Sequence, residues 1–473
     1  MLSPIGGRKG QGCENMDDVL KYLDADRDQC QRDLCELLAI PSVAADSKYH
    51  PDVRRAASWV AGQFQSLGLK TEQIETIGQP LIYAESPAVA GAPTVLVYGH
   101  YDVQPADPLN EWISPPFEPT IRAGNIYARG ATDDKGQMLT HVLSARGWLK
   151  SRGELPLQIK FLIEGEEEVG SKGLYDFLKQ PGASEKLKAD IVVISDTSQF
   201  GPGQPAITYG LRGIAYFEIR LSGPKQDLHS GTFGGAVTNP LNALNSLLHS
   251  LRDADGRVQV PGFYDDVLPL TTREREQFAA LPFSDAAFQE QLGVEGLFGE
   301  TDFTTLERRW ARPTYDVHGL WGGYQGEGGK TVLPAKSGAK FSFRLVPNQD
   351  PQKIAASLEK FLKERLPPGI TMELIYMSGA PGCVVPLDSP YVAAAEKAIE
   401  GGFGRRPVFI REGGSIPIVT NFKQQLGIDT LLLGWGLDDD NTHSPNEKFC
   451  LADFHRGIRA SARLWQELAS IKK

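Results

Sequence analysis

Five short apolar runs, Thr94–Tyr98, Leu157–Ile163, Ile191–Ile194, Val408–Ile410 and Thr430–Leu433, alternate along the chain with longer segments of helical periodicity. The helical segments are Asp17–Ile40, Val53–Leu67, Gln137–Lys150, Pro390–Gly402 and Leu451–Ile471. Their apolar residues recur at spacings of three and four, as in Met138, Leu139, Val142 and Leu143. Strands that alternate with helices bury their faces in layers, so the expected class is α/β, a central sheet flanked by helices. At 473 residues the chain exceeds one ordinary core, and two domains, one inserted in the other, are expected.

The polar residues fall at particular places in this pattern. His100 and Asp102, Glu167 and Glu168, Asp196, and Glu412 each follow the C-terminal end of an apolar run. Open α/β sheets bind their ligands at that edge. Four strands thus deliver reactive groups to one place, and His443 in the C-terminal segment completes the set. Between about Gly213 and Ala380 the texture changes. Alternation over Ala215–Leu221 and Lys340–Leu345, with amphipathic helices over Leu241–Leu251 and Pro351–Leu366, predicts a compact strand-helix-strand-helix-strand insert. Residues 253–330 interrupt it without a readable pattern.

Composition excludes several classes. Apolar residues make up 41% of the chain, charged residues 23%, and no run approaches the roughly 18 apolar residues of a membrane span. A net charge of −10 argues against a nucleic-acid surface, which needs a basic stripe. Residues 1–15 lack the apolar core of a secretory signal, which points to a cytoplasmic protein with a disordered leader, Met16 being an alternative start. Cys13, Cys30, Cys35, Cys383 and Cys450 are scattered, with neither disulfide-framework nor thiolate-zinc spacing.

Imidazole and carboxylate donors suit zinc and other borderline or hard divalent ions, and one aspartate can bridge two of them. His100, Asp196 and one oxygen of Asp133 are assigned to one ion; Glu168, His443 and the other oxygen of Asp133 to a second. Each ion keeps an open position. Two dications against three carboxylates leave one positive charge, which a bridging hydroxide neutralises. Asp102, two residues past His100, is expected to accept the second imidazole N–H and set its tautomer. Glu167, beside Glu168, is the expected general base, returning its proton to the leaving amine. Each piece alone has a blander reading: a loop histidine, a solvated acidic run, an N-cap. Their joint order at strand ends favours the metal centre.

The motifs Gly99-His100-Tyr101-Asp102-Val103-Gln104-Pro105, Gly130-Ala131-Thr132-Asp133-Asp134-Lys135-Gly136, Glu164 to Ser171, Ser195-Asp196, Leu228-His229-Ser230-Gly231, Arg411 to Pro417 and His443-Ser444-Pro445-Asn446-Glu447 resemble those of one known family. It is the dinuclear metallopeptidase family of carnosinase, cytosolic non-specific dipeptidase, aminoacylase-1, succinyl-diaminopimelate desuccinylase and glutamate carboxypeptidase. The resemblance spans about residues 20–470 and is nearest to the dipeptidase branch. It implies a catalytic domain of residues 16–212 and 385–473, with a central mixed sheet, and an inserted α+β lid and dimerisation domain of residues 213–384. It implies the same ligands, bound to two Zn²⁺ ions or to Mn²⁺ or Co²⁺, and a cis Asp133–Asp134 peptide. It further implies that His229 stabilises the oxyanion across a homodimer interface, that Arg344 and Ser415 hold the substrate carboxylate, and that Glu412 meets the substrate amine. The expected activity is hydrolysis of dipeptides or short peptides. The alternatives are a deacylase or carboxypeptidase acting on N-acyl amino acids and, in another class, a noncatalytic peptide-binding relative.

Overall fold

The computed structural model describes residues 11–414 and 416–472. The leader expected over residues 1–15 falls largely, and Ser415 wholly, outside the described residues. The chain forms two compact units: residues up to Tyr209 with Val385–Ile410 and from Asn421 onward, and Gly210–Val384 with Arg411–Thr420.

Seven strands of a nine-stranded sheet lie in the order Lys70–Ile74, Leu81–Glu85, Gln158–Glu164, Thr94–His100, Ile191–Ile194, Thr430–Gly434 and Ala206–Leu211, and Cys383–Val384 and Val408–Glu412 both pair with the last of these. Four central strands are parallel: Thr94–His100 pairs with Gln158–Glu164 from Thr94↔Gln158 to His100↔Glu164, and Val95–Tyr98 with Ile191–Ile194. Thr430–Leu432 continues the parallel set against Val192–Ile194. The outer pairings are antiparallel, so the sheet is mixed. Parallel strands sit under helices on both faces and read as unbroken apolar runs, which is why Ile191–Ile194 is buried throughout. The covering helices include Gln11–Ala25, His50–Ser66, Lys135–Arg152, Pro390–Phe403 and Leu451–Ala469. Leu139, Leu143, Phe161, Ala398, Leu464 and Trp465 pack into one core. The register places the C-terminal ends of the four parallel strands at one edge.

The periodic stretch 17–40 is not one helix. It divides into Gln11–Ala25 and Arg27–Leu38 at Asp26, whose backbone leaves the helical region (ψ 5°) and whose carboxylate pairs with Arg146 at 2.7 Å.

The second unit holds a four-stranded antiparallel sheet in the order Thr314–Gly322, Lys336–Leu345, Gly213–Ser222 and Thr371–Ala380. Its core joins Ala215, Phe217, Ile219 and Leu221 to Phe341, Phe343 and Leu345, under Leu244 and Leu247 of the helix Pro240–His249 and Leu358 and Leu362 of Pro351–Lys363. Residues 253–330 are ordered by local chemistry. The helices Thr272–Ala279 and Thr305–Trp310 start with reciprocal capping boxes, Thr271 with Glu274 and Thr304 with Glu307. The buried Glu300 carboxylate accepts from Arg312 and from Tyr264 Oη (2.7 Å), and Glu307 pairs with Arg275 at 2.9 Å. The first strand of the sheet, Thr314–Gly322, also comes from this stretch; a bulge between Val317 and Gly319 breaks its alternation.

Phe341 is fully buried, with Phe217 stacked on it at 5.5 Å and Tyr315 meeting it edge-on at 5.8 Å. Phe341→Ala is expected to destabilise the second unit by about 3–5 kcal/mol, the usual cost of emptying an aromatic site. Chemical unfolding of the variant measures this, and a loss under about 1 kcal/mol contradicts the packing.

Candidate metal centre

The site stands on the strand ends of the first unit. His100 closes the strand Thr94–His100, Glu167 and Glu168 occupy a short turn, Glu167–Val169, after Gln158–Glu164, and Asp196 follows Ile191–Ile194. Asp133 ends the loop before the helix Lys135–Arg152, and the Asp133–Asp134 peptide is cis. His443 lies in the turn after Thr430–Gly434, with φ +60°, in the left-handed region that histidine enters more readily than most side chains.

Two groups of donor atoms form, each with its atoms within 4.8 Å of one another: His100, Asp133 and Asp196, and Asp133, Glu168 and His443. They share Asp133. Its Oδ1 is 3.2 Å from His100 Nε2 and its Oδ2 is 2.9 Å from His443 Nε2, which is also 3.4 Å from Glu168 Oε2. These are the two sets paired from the sequence.

The electrostatics follow from crowding acids in a buried place. Burial pushes the Glu167 carboxyl up to about 7, with Glu168, Asp102 and Asp133 adding to it against His100. Asp196 and Glu168 are likewise raised by burial and by the charge of Asp133. His443 is lifted to about 10 by its hydrogen bonds to Asp133 and Glu168. Burial works to depress His100, yet the carboxylates of Asp102 and Asp133 drive it well above the usual imidazole range. His100 Nε2 is buried and makes no hydrogen bond although Asp133 is near. A buried nitrogen facing surplus carboxylate charge is the donor chemistry that a divalent cation satisfies, so the residues fit a metal.

Asp102 does more than the sequence suggested, and does it differently. His100 Nδ1 lies closer to the Asp102 backbone carbonyl (3.1 Å) than to its carboxylate (3.4 Å). The carboxylate accepts instead from the backbone N–H groups of Glu167 (3.2 Å) and Glu168 (3.1 Å), fixing the turn that carries both acids. Gln104 Nε2, which sequence reasoning passed over, donates to Glu168 Oε2 at 2.8 Å; its place two residues after Asp102 was the available signal. Gly99 allows the close approach of the next layer, since a Cβ there would meet Asp134 Oδ2 at 2.8 Å, the oxygen that accepts from His100 N.

The other expected residues belong to the second unit. His229 is exposed, in the short strand Leu228–His229 that pairs with Val332–Leu333. Arg344 is half-buried on Lys336–Leu345, opposite Ile214 and Thr314, and burial lowers its guanidinium. Glu412 ends the strand Val408–Glu412, its carbonyl accepting from Arg212 N at 3.2 Å. Among the described residues no helix is long and apolar enough to cross a membrane.

A mixed α/β sheet that carries two such donor groups sharing one carboxylate at its C-terminal edge defines a metal-binding α/β protein. Residues 96–467 match the sequence profile of peptidase family M20/M25/M40, and the chain belongs to that family. It is 34% identical to Cys-Gly metallodipeptidase dug1 of Schizosaccharomyces pombe, over 97% of this chain and 99% of the relative. Among solved structures, human carnosine dipeptidase 1 is 33% identical with a TM-score of 0.83, covering 96% of this chain and 99% of its own. The metallo-carboxypeptidase Sso-CP2 from Sulfolobus solfataricus is 34% identical with a TM-score of 0.85, covering 93% of this chain and 99% of its own.

Because the surrounding carboxylates raise both His100 and His443 without metal, and ligation needs neutral imidazole, filling both donor groups with divalent ions at pH 7 is expected to release about two protons or more, one from each imidazole. Raising the pH toward 10 strengthens binding, and lowering it weakens binding. Titration calorimetry in buffers of different ionisation enthalpy counts the protons, and a count near zero contradicts this electrostatic picture.

Proposed function

We propose that the protein is a metal-dependent hydrolase of dipeptides or short peptides. The observation that carries this reading is the pair of donor groups sharing Asp133, with the turn Glu167–Glu168 beside them. His100, Asp133 and Asp196 would hold one ion, and Asp133, Glu168 and His443 the other. Zn²⁺ is the ion of this reading, and Mn²⁺ or Co²⁺ suits the same donors. When bound, such ions polarise a scissile carbonyl and lower the pKa of water. Glu167 takes the proton from the attacking water and hands it to the leaving amine; its backbone is fixed by Asp102, so the carboxylate is held beside the ligands without being one.

In this reading residues 16–212 and 385–473 are the catalytic part and 213–384 an inserted lid. Arg344 and Ser415 hold the substrate carboxylate, since a guanidinium forks onto a carboxylate, and Glu412 meets the free amine. His229 stabilises the oxyanion of a partner subunit's site. The homodimer is supported by the edge strand Thr314–Gly322, which exposes Val317 and Leu320. The compartment is the cytoplasm, in keeping with the unpaired Cys30, Cys35, Cys383 and Cys450. A second reading is a deacylase or carboxypeptidase acting on N-acyl amino acids, and the likeness to the metallo-carboxypeptidase Sso-CP2 supports its carboxypeptidase form.

The deciding experiment offers metal-stripped protein, resupplied with Zn²⁺ or Mn²⁺, a panel of dipeptides with free and with acetylated amino termini. Metal-dependent cleavage of the free-amine forms alone is expected; cleavage of the acetylated forms instead moves the assignment to the second reading and removes the role of Glu412. Glu167→Gln is expected to bind metal as the wild type does while turnover falls about 10²–10⁴-fold; full activity in that variant removes Glu167 as the base. Sedimentation equilibrium should return a dimer, and a fully active monomer would end the role given to His229.

A further inference from the structure

The loop that delivers Asp133 is tied down at one point. Arg129 Nη1 and Gly130 N donate to Glu447 Oε2, both at 2.8 Å, while Thr132 N and Asp133 N donate to Oε1 at 3.0 and 3.1 Å. Glu447 is fully buried, and all four partners are donors. Only a group that accepts on both oxygens, as a carboxylate does, satisfies them. Glu447 also lies four residues past His443, and its own carbonyl accepts from Ala128 N at 3.1 Å. A second carboxylate, three residues before His443, braces the His443 turn itself: Asp440 accepts from Leu437 N (2.8 Å) and Lys448 Nζ (2.9 Å), and the Thr132 hydroxyl lies 2.9 Å from its Oδ2 and 2.7 Å from the Lys448 carbonyl. The turn bearing His443 is thus bracketed by two acids: Glu447 holds the loop bearing Asp133 through three backbone N–H groups and Arg129, and Asp440 meets it at the Thr132 hydroxyl.

Resting on the metal centre proposed above, we infer that Glu447 is a positioning residue that locks the Asp133 loop to the His443 turn, so that two ligands from distant parts of the chain keep one geometry. The chemistry requires a carboxylate of this length. An amide of the same size turns an NH₂ toward two N–H groups, leaving them unpaired and pushing the loop away. A shorter carboxylate keeps the charge but does not reach all four donors. Either change moves Asp133, which faces both imidazoles, and outer partners of ligands typically govern metal affinity in this way.

The test measures Zn²⁺ affinity by competition with a chromophoric chelator, with thermal stability and kcat and KM on a free-amine dipeptide, for the wild type, Glu447→Gln, Glu447→Asp and Asp33→Asn. Asp33 is a buried acid of the same unit paired with Arg146, so its variant reports a stability loss alone. Zn²⁺ affinity is expected to fall about 10–100-fold in Glu447→Gln, with kcat lowered and KM little changed. Glu447→Asp falls between it and the wild type, and Asp33→Asn keeps wild-type affinity despite its lower stability. Wild-type affinity and kcat in folded Glu447→Gln overturn the role. Should that variant not fold, wild-type affinity in Glu447→Asp overturns it as well. Equal affinity losses in Asp33→Asn reduce it to general stability and overturn it too. A wild-type protein that takes up no Zn²⁺ overturns the metal centre itself, and this role with it.

Discussion

One carboxylate, that of Asp133, stands between two imidazoles, with an oxygen turned toward each. Much of the buried polar structure of the first unit exists to keep it there. Glu447 and Asp440 hold its loop from one side; from the other, Asp134 accepts from the backbone of His100, under a Gly99 that has no side chain to interfere. Burying these acids carries a desolvation cost, which Arg129 and three backbone N–H groups offset at Glu447 and Lys448 and Leu437 N offset at Asp440, while among the described residues Asp134 accepts from His100 N alone. The sheet contributes the rest. Its parallel strands end in register, so His100, the Glu167–Glu168 turn and Asp196 arrive at one edge without long loops having to find each other.

The sequence disclosed those parts that depend on local pattern. Unbroken apolar runs marked the central strands, and the acids and histidines just past them marked the edge, because strand periodicity and side-chain type are properties of neighbouring residues. Contacts between distant residues were harder to read. Glu447 looked like the tail of a motif, since its role is to accept backbone N–H groups from a loop far upstream. The pairing of Asp102 with the Glu167–Glu168 backbone was hidden in the same way, whereas its nearness to His100 was plain from spacing.

Residues 253–330 failed for a different reason. Two Thr-x-x-Glu capping boxes were present and would have located two helices, but those helices are only 8 and 6 residues long and lack a clear apolar stripe. Charged pairs such as Glu300 with Arg312 hold that stretch together with isolated apolar contacts such as Phe278 against Trp310, which leave no periodic signal. In Thr314–Gly322 the bulge shifts the side chains by one residue, so the alternation that identifies a half-buried strand is lost midway. The break at Asp26 is similar, a helix interrupted where an arginine on another helix claims its carboxylate.

The strand order also bears on how the chain is made. Thr430–Gly434 lies between Ile191–Ile194 and Ala206–Leu211, so during synthesis those two strands emerge long before the strand that separates them. Meanwhile the insert, which has a core of its own, is completed and free to fold. Ala206–Leu211 pairs with Cys383–Val384, Val408–Glu412 and Thr430–Gly434, all made later, so for that interval the nascent sheet ends at the unpaired edge of Ile191–Ile194. A translating chain is exposed to wrong strand pairing, between chains or within one, throughout that interval.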